Sequence, residues 1–233
     1  MTKQKNIFLD EFNGYFKENG AWEQEDGKKQ TELFARYFDQ IITLPTGKFT
    51  LLDVGCALGQ AAVFFARRYP EATVSATDIS DVAISRGKAQ YGDMVNFFTE
   101  EIGRIKGQYD VIYCSNVLKH FHDFTQKTLH LATCCRRLCI MVPYNQRQRG
   151  RRLVPDASNF EHQYSFYEDS FDFLLDEGLA TGIETAFHPC PVAWGWNRRQ
   201  RITHCIDNFI RRISNRPHEN EPMQIIFDIK TNI

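Results

Sequence analysis

A glycine-rich turn between an apolar run and a helical segment constrains the fold of this chain most. Residues 51–59 read Leu-Leu-Asp-Val-Gly-Cys-Ala-Leu-Gly, so the apolar run carries an acid, Asp53, just before the small residues begin. Gly55, Ala57 and Gly59 would let the backbone approach a bound molecule closely, and a helix starting behind them offers free N–H groups. This pattern is typical of the first strand and helix of an open α/β sheet.

The chain beyond this turn alternates short apolar runs, rich in β-branched residues, with segments of helical periodicity. Such alternation predicts an α/β fold, a doubly wound and mostly parallel seven-stranded sheet with an antiparallel last strand and helices on both faces. The expected strands are Phe49 to Val54, Ala72 to Thr77, Val95 to Phe98, Tyr109 to Cys114, Leu138 to Val142, Gln224 to Ile229 and, from a weaker pattern, Thr181 to Phe187.

Apolar residues at helical spacing and capping residues predict four helices in the chain. Three of them are expected over Thr31 to Ile42, over Leu58 to Tyr69, and from a Ser80 cap to about Gln90. The fourth should follow a capping-box pair, Ser165 and Glu168, and end at Gly178.

The chain is expected to form one compact domain, with a helical cap or lid over residues 1–48 ahead of the ligand-binding part over residues 49–233. Aromatic residues of the first segment could either close over a site or pack in the core. They are Phe12, Tyr15, Phe16 and Trp22.

Composition excludes some classes of protein. A formal net charge of -1 over 233 residues argues against a chain built as a whole to coat nucleic acid. The seven cysteines are scattered and never spaced as a CxxC pair, which predicts reduced, buried thiols in a cytoplasmic protein. No apolar run approaches the roughly 20 residues that a membrane-spanning helix needs.

A second acid, Asp78, ends the next predicted strand in Ala76-Thr77-Asp78-Ile79-Ser80. An acid at this place can accept hydrogen bonds from both ribose hydroxyls of an adenosine. A dinucleotide site would show G-x-G-x-x-G, whereas here an acid stands two positions before the first glycine of the turn.

These residues resemble the first motifs of class I, Rossmann-like S-adenosylmethionine-dependent methyltransferases, whose turn runs acid-x-Gly-x-Gly-x-Gly. Alanine replaces the middle glycine here, and it should fit only if its φ angle is negative. The resemblance implies S-adenosylmethionine as the donor, with Gly55, Ala57 and Gly59 shaping its pocket, Asp53 orienting the methionine part, and Asp78 with Ile79 beside the ribose.

The resemblance continues after the third and fourth predicted strands. It implies that Glu101, or its neighbour Glu100, accepts a hydrogen bond from the adenine amino group. It also implies that Ser115 and Asn116 border the methyl group, and that His120 stands where a histidine is frequent in small-molecule methyltransferases.

The methyl acceptor is expected to be a small molecule or glycan-like, with oxygen favoured over nitrogen as the methylated atom. A hydroxyl acceptor needs a base, and His162, in a Glu-His step similar to one in bacterial methyltransferases of sugars, or His120 could provide it. The further candidates are His122, Tyr113, Tyr144 and Tyr164. No metal is expected, because Ser115-Asn116 and residues 142–145 are a poor ligand set for a divalent cation.

Two basic segments leave the partner open. Arg147, Arg149, Arg151 and Arg152 would suit a phosphate-bearing acceptor or RNA. Arg198 to Arg216 has the pattern of an amphipathic helix, which could pack on the fold or lie on a membrane surface. The alternatives are therefore an RNA methyltransferase, which lacks support from any appended RNA-binding module, and a cofactor-binding partner subunit that has lost catalysis. The oligomeric state stays open.

Overall fold

The computed structural model describes residues 13–14, 16–17, 25–144, 164–189 and 223–233. Within them lie seven strands and five α-helices. The strands are β1 (Thr50–Val54), β2 (Thr73–Asp78), β3 (Asn96–Thr99), β4 (Val111–Ser115), β5 (Arg137–Tyr144), β6 (Ala180–Pro189) and β7 (Met223–Thr231). The helices are α1 (Glu25–Ile41), α2 (Gln60–Arg68), α3 (Asp81–Tyr91), α4 (Phe124–Ala132) and α5 (Phe173–Asp176). Three single turns of 3-10 helix cover Gly92–Met94, Ile102–Arg104 and Leu118–His120.

The strands form one sheet in the order β3-β2-β1-β4-β5-β7-β6. Strands β1 to β5 pair in parallel, and β7 runs antiparallel to both of its neighbours, β5 and β6. The predicted α/β class and the antiparallel last strand are therefore confirmed. The order reverses between β1 and β4, and ligands of such sheets bind at this point, beyond the carboxyl ends of the strands.

Alternating side chains of the strands build a core on each face of the sheet. On one face, Phe38 of α1 and Phe65 of α2 pack against the ring of Tyr113 from β4. On the other face, Phe124 of α4 and Phe171 pack around Phe227 of β7. Helices on both faces are thus confirmed.

Local capping follows the sequence in one place and departs from it in another. Ser80 caps α3 as predicted, because its Oγ accepts a hydrogen bond from the Ala83 N–H at 3.1 Å. The capping box at Ser165 is wrong, since Glu168 instead accepts a hydrogen bond from the Tyr144 hydroxyl at 2.7 Å. The chain turns irregularly there before the four-residue helix α5, and Gly178, two positions after the helix ends, has the expected positive φ of 66°.

Several predicted features lie outside the described residues. They are His162 with Glu161, the arginines of residues 147–152, and the segment from Arg198 to Arg216. The five cysteines of the described part have free thiols and are buried, as predicted for them. No helix among the described residues is long and apolar enough to cross a membrane.

Candidate functional site

The turn between β1 and α2 is held against the end of β2 by backbone hydrogen bonds. The N–H groups of Gly55 and Cys56 both donate to the Thr77 carbonyl oxygen, at 2.8 and 3.0 Å. Positive φ angles at Gly55 (71°) and Gly59 (85°) give the turn its shape. The turn of residues 55–59 is called the donor turn below, because it is predicted to bind the methyl donor. It lies at the carboxyl edge of the sheet, beside the point where the strand order reverses.

Ala57 does not have the negative φ angle on which the sequence-based tolerance for an alanine in this turn depends. Its φ is 49°, a left-handed conformation that costs a residue with a Cβ about 1–2 kcal/mol. The Ala57 N–H compensates by donating to Asp78 Oδ2 at 2.9 Å, so the strained residue is also the one that ties the turn to β2.

The two glycines are required by neighbouring side chains of the protein itself. A Cβ at Gly59 would lie 2.5 Å from the ring of Phe97 on β3, and one at Gly55 would overlap Val117. The sequence suggested that small residues are needed here because a ligand approaches the backbone closely. In the structure, side chains of the protein itself already require them. The overlap at Gly55 also shows that the segment after β4 contacts the donor turn.

Asp78 ends β2 with its carboxylate turned toward the turn. Oδ1 accepts the Ser80 N–H at 2.9 Å and Oδ2 accepts the Ala57 N–H. Burial raises the pKa of Asp78, and the backbone hydrogen bonds oppose that rise. A carboxylate has about four acceptor positions, so both oxygens can still accept hydroxyl groups. Ile79 follows it half-buried at the same edge.

The described residues of the N-terminal segment, Asn13, Gly14, Phe16 and Lys17, are called the N-terminal cover below, and two of them contact this edge of the sheet. Asn13 Oδ1 accepts a hydrogen bond from the Ser80 hydroxyl at 2.6 Å, and the Arg86 guanidinium donates to the Phe16 carbonyl oxygen. The Phe16 ring is only 4% exposed and packs in a cluster with Leu58. Phe16 is the one residue of the four predicted lid aromatics that the structure describes.

Asp53 lies on β1 with its side chain toward α2, near enough to the Ala62 backbone for it to oppose part of the rise in the Asp53 pKa. It is 3% exposed, and among the described residues its Oδ2 has no hydrogen-bond partner. Burial, followed by smaller effects that include the charge of Asp78, raises the pKa of Asp53 to about 7. A buried carboxyl with an unused acceptor atom fits a cationic or hydrogen-bond-donating ligand group.

Glu101 follows β3 at the same edge of the sheet, directly before the 3-10 turn Ile102–Arg104. Its carboxylate lies 3.7 Å from Arg104 Nε and 4.0 Å from Lys127 Nζ. Lys127 is 7% exposed and also pairs with Asp123 at 3.0 Å. Sequence reasoning missed Lys127, because a lysine on a short helix usually marks the solvent side.

Ser115 and Asn116 end β4 and start the loop that reaches the donor turn. Asn116 has a φ of 60°, and its N–H donates to the Met141 carbonyl oxygen at 2.7 Å. The Asn116 side chain lies 3.3 Å from Ser115 Oγ and accepts from Lys119 Nζ at 3.4 Å. The next residue, Val117, lies against Gly55, so Ser115 and Asn116 are near the turn after β1.

The candidate bases differ in their surroundings. His120 ends the 3-10 turn Leu118–His120, partly exposed, four positions after Asn116. Tyr113 is fully buried and burial raises its pKa, so its hydroxyl is a poor base. Tyr164 donates to the His122 carbonyl oxygen at 2.7 Å. In the part of the chain that the structure describes, no three His, Cys, Asp or Glu side chains gather as metal ligands would.

Comparisons with known proteins agree with this geometry. A family model described as a methyltransferase domain matches residues 16–178, more than half of the chain. Trans-aconitate 2-methyltransferase of Deinococcus radiodurans is 27% identical over 145 residues, 61% of this chain and 52% of that protein. Magnesium-protoporphyrin O-methyltransferase of Synechocystis is 31% identical over 97 residues, 38% of this chain and 41% of that protein. The chain spans about half the length of the curated relatives it matches.

A solved structure extends the likeness to the whole fold. Magnesium protoporphyrin IX methyltransferase from Synechocystis PCC 6803 with bound SAM superposes with a TM-score of 0.63 at 17% identity, over 99% of this chain and 98% of that chain. The family match therefore agrees with the order of the strands in the sheet and with the position of the turn after β1. This chain belongs to the methyltransferase-domain family, within the class I, Rossmann-like S-adenosylmethionine-dependent methyltransferases.

Proposed function

We propose that the protein transfers a methyl group from S-adenosylmethionine to an oxygen atom of a small-molecule acceptor, without a metal ion. The observation that carries the proposal is the Asp78 carboxylate, which the donor turn and α3 fix at the carboxyl end of β2. Its free acceptor positions suit the two ribose hydroxyls of the donor.

The other donor-binding roles follow from the same edge of the sheet. Asp53, with an unused buried oxygen, would hold the ammonium of the methionine part. Glu101 would accept a hydrogen bond from the adenine amino group, and Ser115 with Asn116 would border the methyl group. The N-terminal cover would act as a lid over this pocket.

Small-molecule acceptors are supported by the names of the two curated relatives, which act on trans-aconitate and on magnesium-protoporphyrin. Methylation on oxygen is supported by the name of the second relative, an O-methyltransferase. A glycan-like or phosphate-bearing acceptor would rest on His162 and the nearby arginines, which lie outside the described residues.

When bound, S-adenosylmethionine supplies a methyl group that the sulfonium charge already activates. The chain then has to align the acceptor, which can lower the barrier by about 7–11 kcal/mol, and to take the proton of a hydroxyl acceptor. His120 or His162 would accept that proton through a ring nitrogen as the new oxygen–carbon bond forms. The buried apolar surroundings of the pocket would exclude water.

The proposal is tested by calorimetric titration with S-adenosylmethionine and S-adenosylhomocysteine. Asp78→Ala should weaken binding by about 100-fold or more, because two hydrogen bonds to a charged group are lost. Asp93→Ala, which removes an exposed acid in the turn after α3, is the matched control and should bind as the native chain does. Thermal unfolding of each variant checks that it is folded.

Transfer is then measured with a labelled methyl group and a panel of hydroxyl-, carboxyl- and amine-bearing acceptors. Native protein should label an oxygen acceptor, and His120→Ala should lower the rate if His120 is the base. Failure of the native protein to bind either donor form would contradict the proposed function. Binding without transfer to any acceptor would favour a partner subunit that has lost catalysis.

A further inference from the structure

Lys127 of α4 is a charged side chain that is buried inside the fold. The residue is 7% exposed, whereas its nearest acid, Asp123, at 3.0 Å from the Lys127 Nζ atom, has 56% of its side chain exposed. Burying an ammonium group is costly, and a pair with Asp123 could form in solvent without that cost. The burial of Lys127 is therefore accounted for by the groups that it contacts on its other sides.

Two loops at the carboxyl edge of the sheet hold the Lys127 ammonium between them. Its Nζ atom lies 4.0 Å from a carboxylate oxygen of Glu101, which follows β3, and 4.8 Å from the centre of the Phe121 ring, which follows β4. The ring attracts the ammonium and so opposes its movement away from Glu101. Helix α4 is also tied to the segment after Glu101, because His130 Nε2 lies 2.9 Å from the Ile105 carbonyl oxygen. Packing therefore fixes the distance between Lys127 and Glu101.

Glu101 lies beside the residue that is proposed to hold the ribose of the donor. The Glu100 N–H donates to the Asp78 carbonyl oxygen at 3.2 Å, so Glu101 is one residue beyond a direct contact with the end of β2. The Glu100 carboxylate accepts the Glu101 N–H at 3.0 Å, whereas the Glu101 carboxylate faces Lys127. Of the two acids, Glu101 is therefore the one whose direction Lys127 can control.

A second cation near Glu101 is less able to fix its carboxylate. Arg104 Nε lies 3.7 Å from Glu101, slightly closer than Lys127 Nζ, but 59% of the Arg104 side chain is exposed, against 9% for Lys127. Water and salt screen an exposed ion pair strongly, and its long side chains keep many conformations. The buried ammonium is therefore the cation that restricts the Glu101 carboxylate most.

We propose that Lys127 is a positioning residue, which orients the Glu101 carboxylate and thereby sets the preference of the site for a donor whose base carries an amino group. This inference rests on the proposed function, in which Glu101 accepts a hydrogen bond from the adenine amino group, and it adds a residue of a separate element to that contact. Lys127 itself would not touch the donor. Without its charge, the Glu101 side chain would turn toward solvent and Arg104, and the preference would fall.

The test compares two ligands that differ only in the base. S-Adenosylhomocysteine carries the amino group, whereas S-inosylhomocysteine has a carbonyl oxygen in its place, which cannot donate to a carboxylate. Calorimetry with the native protein should show about tenfold or more tighter binding of the first ligand, because a hydrogen bond to a charged group is lost with the second. Lys127→Met keeps the length of the side chain and removes its charge, and it should reduce the preference to about threefold or less.

A double-mutant cycle separates positioning from a general effect on the fold. Glu101→Met should remove most of the preference, and adding Lys127→Met to it should change the preference no further, since Lys127 acts through Glu101. Asp123→Asn is the matched control, because it removes the nearer but exposed acid and should leave the native preference unchanged. Thermal unfolding shows whether each variant is folded. Should Lys127→Met fail to fold, Lys127→Arg and Lys127→Gln compare a charged with a neutral side chain, and only the former should keep part of the preference.

The outcomes distinguish this inference from the proposed function. A preference that Lys127→Met leaves intact, or equal losses for both ligands, would overturn the role of Lys127. A further loss of preference when Lys127→Met is added to Glu101→Met would also overturn it, because Lys127 would then act without Glu101. Native protein that binds both ligands equally would overturn this inference alone and leave donor binding intact. Native protein that binds neither ligand would overturn the proposed function, and this inference with it.

Discussion

At the scale of single residues, Asp53 shows how burial sets the behaviour of the site. Its pKa is raised to about 7 by burial, whereas an aspartate in an unfolded chain titrates near 3.9. Between about pH 4 and pH 7 the folded protein therefore holds a proton that the unfolded chain has lost. The stability that Asp53 contributes is present at low pH and declines as the pH rises through this window.

We expect Asp53→Asn to remove this part of the pH dependence. Urea unfolding at pH 5 and pH 7.5 should show that the native protein loses more unfolding free energy over this interval than the variant, by up to a few kcal/mol, since one pKa unit is about 1.4 kcal/mol. Asp93→Asn, at an exposed position, should follow the native protein at both pH values. Parallel curves for native protein and Asp53→Asn would mean that the folded chain keeps this carboxyl ionised.

Gly59 allows the cost of a contact to be separated from the cost of a backbone angle. Gly59→Ala places a methyl group 2.5 Å from the Phe97 ring at a φ of 85°, whereas Gly47→Ala has a similar φ of 78° and open space. The second change should cost about 1–2 kcal/mol of unfolding free energy, and the first about 1–3 kcal/mol more. Chemical denaturation of the two variants measures the difference. Equal losses would show that Phe97 moves aside freely.

At the scale of elements, the strands and the first two βα units could be predicted, because their signals are local. The apolar runs are short and β-branched, and Ser80 carries the cap of α3 in its own sequence. Helix α4 was not predicted, since it is nine residues long and turns only a few apolar side chains inward. The capping-box prediction at Ser165 was wrong because Tyr144, on a distant strand, binds Glu168.

Residues of the candidate site could be predicted only where a characteristic residue type stands at a characteristic position, such as the end of a predicted strand. Asp53, Asp78 and the turn glycines meet that condition, and the structure places them together at the carboxyl edge. The contacts of Lys127 and Phe97 depend on packing between elements that are far apart in the chain. Residue spacing in the sequence does not predict such contacts, so the positions of these residues near the site could be recognised only from the structure.

An ion pair between Arg137 and the buried Asp228 joins strands β5 and β7, and its contribution to the unfolding free energy can be measured. Arg137 Nε and Nη2 donate to the two Asp228 oxygens at 2.6 and 2.5 Å, and Nη1 donates to the Thr43 carbonyl oxygen ahead of β1. Asp228 is buried, so Arg137→Met leaves its charge unpaired and should cost about 3 kcal/mol or more of unfolding free energy.

The neighbouring Arg136 provides the control for that measurement. It pairs with Asp110 at 3.5 Å with most of its side chain exposed, so Arg136→Met should change the unfolding free energy by less than about 1 kcal/mol. The double variant Arg137→Met with Asp228→Leu should recover part of the loss, because no buried charge is then left alone. A loss for Arg136→Met as large as that for Arg137→Met would contradict a special role of the buried pair.

At the scale of the whole molecule, the first described residues and the end of the last strand lie at opposite edges of one sheet. The last strand, β7, fills the space between β5 and β6, and the first described residues cross to the carboxyl edge of β2. The described part of the N-terminal cover contacts the rest of the fold through hydrogen bonds with Ser80 and Arg86 and through packing of the Phe16 ring.

This attachment has a consequence for the timing of a catalytic cycle. With the donor bound as proposed, a molecule resting on Asp78 would lie next to Ser80, which Asn13 of the N-terminal cover contacts, so its arrival and departure would require this contact to open. Entry of the methyl donor and exit of its demethylated product would then both require the N-terminal cover to open, so each turnover would need two such openings. The frequency with which a few N-terminal residues detach, rather than the reactivity of the sulfonium, would set the upper limit on turnover.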